Sequence, residues 1–237
     1  MATLAVATFT PMKHDFSGLK AGALRILVYG ILIYLLADVI RWDAGAKVTA
    51  EEAKVSEASF TEALQSVFLA ISAGLYLWVF IRYVSLKPIA FFLFSFTLAS
   101  FIREQDSWLD ERIFDDAWQI GVFSLLAVLL YYLWKHGTQF MHNVSLYVNS
   151  LPFGLILSGF LTTYIFSRLY GRTRFWEEVM EERYFRTVKN VSEESIELLG
   201  YFMLVIAAIE FVVCAKKYAA NLTAKIPTKK ISGSVVL

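Results

Sequence analysis

Cysteine occurs once in this chain of 237 residues, at Cys214, with four prolines and three histidines. One thiol excludes a disulfide framework within the chain, an Fe–S cluster and a thiolate zinc site. No P-loop, HExxH helix, GxSxG elbow or dinucleotide fingerprint is present. The formal net charge is only +1, and no basic stripe interleaved with aromatics stands clear of acids, which argues against a nucleic-acid partner. The first nineteen residues contain Pro11, Lys13, His14 and Asp15 and show no compact apolar core followed by a small-residue cleavage site, which reads as no removable signal peptide.

What the chain does have is apolar bulk: 57% hydrophobic residues, 16% aromatic residues and a mean hydropathy of +0.55. That is too apolar for a soluble domain of this length. The fold class expected is an all-α integral membrane protein with six transmembrane helices and one interfacial amphipathic helix. A span needs ~20 apolar residues to cross ~30 Å of hydrocarbon. Segments 20–41, 60–84, 88–105, 116–135, 151–170 and 195–215 qualify. The organisation expected is a cytoplasmic N-terminal segment over 1–19, a six-helix membrane domain over 20–215, and a basic, disordered tail over 216–237. In segment 172–189, Trp176, Val179, Met180 and Tyr184 recur at helical spacing opposite Glu177, Glu178, Glu181, Glu182 and Arg186, the pattern of a helix lying in the interface.

An even number of spans puts both termini on one side, so the acid-rich connections 42–59, 106–115 and 171–194 share the other. The terminal side carries nine of the twelve lysines, which points to cytoplasmic termini in a multi-pass cell-membrane protein. Arginine, counted with lysine, leaves the two sides level at eleven each. Trp42, Trp108, Trp118 and Trp176 all fall at the acid-rich side, as an aromatic belt requires. All three histidines, His14, His136 and His142, fall on the lysine side, so a zinc site mixing histidine with the acid cluster, or a Ser-His triad there, is ruled out by topology.

The third span runs into a dense charge cluster: Arg103, Glu104, Asp106, Asp110, Glu111, Arg112, Asp115 and Asp116. Charge this close to hydrocarbon is expensive unless paired. Taken as one helix, Arg103, Asp106 and Asp110 form a single stripe. On the sixth span Ser192 has the position of an N-cap, and Glu194, Glu197 and Tyr201 form a second stripe. Joined with Asp38, Arg168 and Arg172, these residues make the candidate ligand-binding mouth. The competing account is that the first-turn acids cap a helix and the rest are interfacial ion pairs. Two deeper charges, Arg25 and Glu210, lie at matching depths from the lysine side and are expected to pair. No cofactor is called for; a hard divalent cation (Mg²⁺, Ca²⁺ or Mn²⁺) would be the metal that suits all-oxygen ligands, but the arginines already neutralise these acids. Gly154 and Ser158 give the fifth span a face of small residues for close packing.

Three function classes follow. A binding or transport protein would admit a small ion, an anionic solute or a lipid headgroup to the mouth, the guanidinium groups suiting anionic lipid headgroups. A membrane-embedded enzyme acting on a lipid-linked or phosphorylated substrate would use Asp110 or Glu197 as general base. An accessory or assembly subunit would use its charges only to hold helices and partners. The lipid bilayer is the one partner all three share.

Overall fold

The computed structural model describes residues 17–49 and 60–224; the segment 1–16, residues 50–59 of the first acid-rich connection and the segment 225–237 lie outside the described residues. The chain divides into two compact bodies, residues 1–42 and 43–237. The first holds most of helix α1 (Ser17–Thr49), on which Arg41 pairs with Asp38 one turn earlier at 3.3 Å.

The larger body is built from helices, with no strand among the described residues. Helix α2 (Phe60–Arg82) ends in a single 3-10 turn at Val84–Leu86, and Pro88 then occupies the first turn of α3 (Lys87–Glu104), where its missing N–H costs nothing. The third span does not continue straight into the charge cluster. Gln105 leaves helical geometry at φ −98°, ψ 15°, and a separate seven-residue helix, α4 (Asp106–Arg112), follows. Asp116 then takes a left-handed conformation (φ 64°), which aspartate tolerates, and turns the chain into α5 (Ala117–Lys135). The expected stripe of Arg103, Asp106 and Asp110 is therefore broken between its first and second members.

After α5 come α6 (Gly137–Tyr147) and α7 (Leu151–Phe160), the latter opened by Pro152. A π turn at Leu161–Phe166 leads into the short α8 (Ser167–Tyr170). The single interfacial helix expected over 172–189 is replaced by the eight-residue α9 (Thr173–Met180) and a 3-10 turn, Glu181–Arg183, entered through Glu181 at φ 51°. Trp176 is buried, its Nε1 donating to Tyr170 O at 2.9 Å and its ring edge-on to Tyr170. Helix α10 (Arg186–Ala224) begins six residues before Ser192. Ser192 is thus no N-cap: its Oγ donates to Val188 O inside the helix. At 1.5 Å per residue α10 is ~58 Å long, well beyond the ~30 Å that a hydrocarbon core requires. Residues 216–224, read from sequence as the start of the tail, are its last turns.

Six helices are long and apolar enough to cross a membrane, with spans at Gly18–Gly45, Phe60–Arg82, Val84–Glu104, Ala117–Lys135, Leu151–Tyr170 and Arg186–Leu222. Helix α10 is the hub, packing on α2, α7 and the π turn, while α3 packs on α2 and α5. Its buried stripe Leu198, Tyr201, Leu204, Ala208, Phe211 and Ala215 follows the helical period and meets Leu69, Tyr76 and Val79 of α2. The tightest helix contact is not at Gly154 and Ser158. A Cβ on Gly154 would meet open space, and Ser158 Oγ turns back to Gly154 O. Gly159 meets Gly200 instead: a Cβ on Gly159 would stand 2.9 Å from Gly200 O, and one on Gly200 1.8 Å from Thr163 Oγ1. Small residues at this crossing let two backbones approach within van der Waals distance.

Candidate functional site

Three elements bring ionic side chains together where α10 leaves the acid-rich connection. Arg168, on α8, reaches two acids of α10 at once, Glu197 at 3.2 Å and Glu193 at 3.7 Å. Lys189, one turn before Glu193, closes on the same carboxylate at 2.6 Å. Glu197 is buried and also accepts a hydrogen bond from Ser167 Oγ at 2.9 Å, while Thr163 of the π turn aims its hydroxyl at the Glu197 carbonyl. A π turn widens the helix by about one residue and is frequent at functional sites. Here it lies against Gly200, the point at which α7 and α10 come closest. None of these α10 acids caps a helix, because α10 starts a full turn or more before them.

One to two turns further in, the charge gives way to hydroxyls. Tyr201, wholly buried, donates to Glu104 Oε1 at 2.7 Å, joining α10 to the last residue of α3. Tyr164 donates to Ser100 Oγ at 2.5 Å, and its ring meets that of Tyr201 edge-on at 6.3 Å. Glu104 and Glu193 both lie within electrostatic reach of Glu197. From Glu193 to Tyr201 the set descends eight residues of α10, ~12 Å. The result is a polar column of three carboxylates, two cations and five hydroxyls entering an apolar bundle.

The predicted site residues fare unequally. Arg168, Glu197 and Tyr201 sit in the column. Arg103, the last residue but one of α3, is half-buried within electrostatic reach of Tyr164 and forms no hydrogen bond or ion pair among the described residues. Asp106 closes its own turn, its Oδ1 accepting from the Ser107 N–H at 2.7 Å. Asp110 Oδ1 is enclosed and accepts no hydrogen bond from a described residue. Arg172 is exposed ahead of α9. Glu194 points its backbone carbonyl at Gln65 Nε2, 3.2 Å away. Asp38 and Arg25 belong to α1, and Glu210 is buried on α10. Glu104 is legible in sequence as a member of the charge cluster but not of the mouth, and Ser100, Tyr164, Ser167 and Lys189 carry no such mark. A lone serine or tyrosine in an apolar helix carries no signal until a partner helix is placed opposite.

Gly171 is needed for the rim to close. A Cβ there would stand 2.3 Å from the Glu193 carboxyl carbon. Gly171→Ala is expected to push Glu193 off Arg168 and lower stability by about 1 kcal/mol. Thermal unfolding of G171A beside G171A/E193A checks this: the alanine should cost nothing once Glu193 has been removed.

Among the described residues no group of three His, Cys, Asp or Glu side chains is arranged to hold a metal ion. No protein-family profile, curated protein or solved structure matches the chain.

Proposed function

We propose that this protein binds and transports a small cation, a proton or a monovalent ion, through the polar column between α3, α8 and α10. One observation carries the reading: Glu104 and Glu197, carboxylates from helices 93 residues apart in sequence, lie within reach of each other inside the bundle, each held by a hydroxyl donor. Ionisable groups in a membrane interior are costly and mark ion and proton pathways. Carboxylates beside hydroxyls offer oxygen ligands and exchangeable protons, and Arg168 and Lys189 keep the set near neutrality without occupying Glu104. The multi-pass cell-membrane location with cytoplasmic termini belongs to the same proposal and rests on the lysine bias.

The test is flux through the purified full chain in liposomes carrying an entrapped pH indicator, driven by an imposed potassium diffusion potential, with sodium and potassium fluxes read in parallel. Transport above that of empty vesicles is expected, falling at least about tenfold in Glu104→Gln and Glu197→Gln, since each removes a charge that the ion must exchange with. Wild-type flux in both variants would sink the reading. A second reading, an accessory subunit without transport, draws on the sharing of Arg168 between Glu193 and Glu197, a pairing suited to locking helices. It predicts no flux for any of the three ions.

A further inference from the structure

On another face of α3 from the column lies a cleft of about 440 Å³, lined by Phe101, Ile102, Gln105, Trp108, Leu109 and Ala117 with Trp118 and Gly121. Its volume is in the range of ligand pockets. Its lining is almost wholly apolar. The one amide, Gln105, already donates its Nε2 to Ser66 Oγ at 2.7 Å, so the cleft offers a ligand little besides apolar contact. Of its lining Trp108 stands exposed, and Ile113, Phe114 and Ile120, exposed as well, lie on the chain between and beside the lining residues of α4 and α5. An exposed apolar patch of this kind suits contact with another apolar phase, and two tryptophans close to span ends suit the boundary between headgroups and hydrocarbon.

A charge sits at the rim. The Arg112 guanidinium lies over the Trp108 ring, 5.1 Å from its centroid. It is exposed and, although Asp106, Asp110, Glu111, Asp115 and Asp116 are near in sequence, it makes no ion pair among the described residues. On α4, Trp108, Leu109 and Arg112 share an arc of ~100°, with Asp106, Asp110 and Glu111 each more than ~100° from its centre. Arg112 is thus the charged group of α4 on the cleft side, and its stacked guanidinium keeps its N–H donors for a planar or tetrahedral oxyanion.

We propose that this cleft binds a membrane phospholipid of net negative charge, one acyl chain lying between α3 and α5 and the headgroup phosphate on Arg112. Gly121 shapes the inner end: a Cβ there would press Ile102 at 3.3 Å, so glycine keeps α3 and α5 close below the cleft while Ala117 leaves it open above. The site is separate from the polar column, and its occupancy does not depend on ion transport.

The experiment reads tryptophan quenching. A variant retaining Trp108 and Trp118, with Trp42, Trp78, Trp134 and Trp176 changed to phenylalanine, is reconstituted in phosphatidylcholine bilayers. These are doped with a small fraction of chain-brominated phosphatidylglycerol or chain-brominated phosphatidylcholine. Saturating quenching is expected, with about fivefold tighter apparent binding of the glycerol lipid, the factor supplied by one arginine–headgroup contact of about 1 kcal/mol. Arg112→Gln should remove the preference and Ala117→Leu the saturable quenching with both lipids. Wild-type full chain stripped in detergent should retain phospholipid by native mass spectrometry, and the Ala117→Leu chain should not. Quenching that is equal for the two lipids and linear in their fraction, or unmoved by both substitutions, would mean ordinary boundary lipid and overturn the proposal.

Discussion

Gly200→Ala is expected to lower stability by about 2–3 kcal/mol, the range for forcing an extra carbon into a close-packed site. The new Cβ would stand 1.8 Å from Thr163 Oγ1, 3.1 Å from Thr163 Cβ and 3.1 Å from Gly159 O. The obstruction is in part backbone, which has no rotamer to escape into, and Thr163 is almost wholly buried at 1% exposure. Helices α7 and α10 must move apart, carrying the π turn and Ser167 away from Glu197. In detergent the apparent Tm should fall on the order of 5–10 °C. A double-mutant cycle separates the causes. Thr163→Ala removes the nearest clashing atom, so G200A/T163A should recover part of the loss, and the remainder reports the Gly159 carbonyl. A Gly200→Ala chain that unfolds at the wild-type temperature would mean that the crossing is looser than the geometry given above.

The second large effect is expected at Arg168. Its guanidinium serves Glu193 and Glu197 together, and Glu193 keeps Lys189 if it is lost. Glu197 keeps only Ser167, within reach of two further carboxylates. Breaking a buried pair by removing one partner leaves an uncompensated charge and typically costs 3–5 kcal/mol. Arg168 is itself 42% exposed, so Arg168→Ala should cost about 3 kcal/mol, at the lower end. Glu197→Gln alone should be nearly neutral for stability, because an amide can still accept from Ser167. R168A/E197Q should therefore regain most of what R168A loses. Arg168→Lys should restore less than full stability, since an ammonium lacks the fork that reaches two carboxylates. Chemical denaturation of the four chains checks this. An R168A loss that E197Q fails to rescue would remove Glu197 as the group Arg168 compensates.

The apolar runs alone determined that this is a helical chain with six candidate membrane spans, and five of the six segments read from sequence match the structure to within about four residues. Length and hydropathy suffice there because a lone chain in hydrocarbon has no way to satisfy its backbone other than a helix. Hydropathy says little about a helix that keeps going outside the membrane. That is why the sixth span reads as 195–215 with Ser192 as its cap, whereas the helix begins at Arg186. Nor does periodicity see a break that no proline or glycine announces, so the kink at Gln105 was missed and with it the splitting of Arg103 from Asp106 and Asp110.

The site divides along the same line. Charge on a membrane segment is visible in one dimension, so Arg168, Glu197 and Tyr201 were legible as candidates. Which charges meet is decided by helix packing, and Glu104, Ser167 and Tyr164 acquire a role only when α3 and α8 are set against α10. The packing in turn rests on Gly159 and Gly200, whose lack of side chains is unremarkable in sequence and decisive where two backbones touch. Composition alone marked out helices long and apolar enough to cross a membrane, because a run of apolar residues needs no partner to be specified. The polar column needed the tertiary structure, because a hydrogen bond or ion pair exists only when both of its ends are in place.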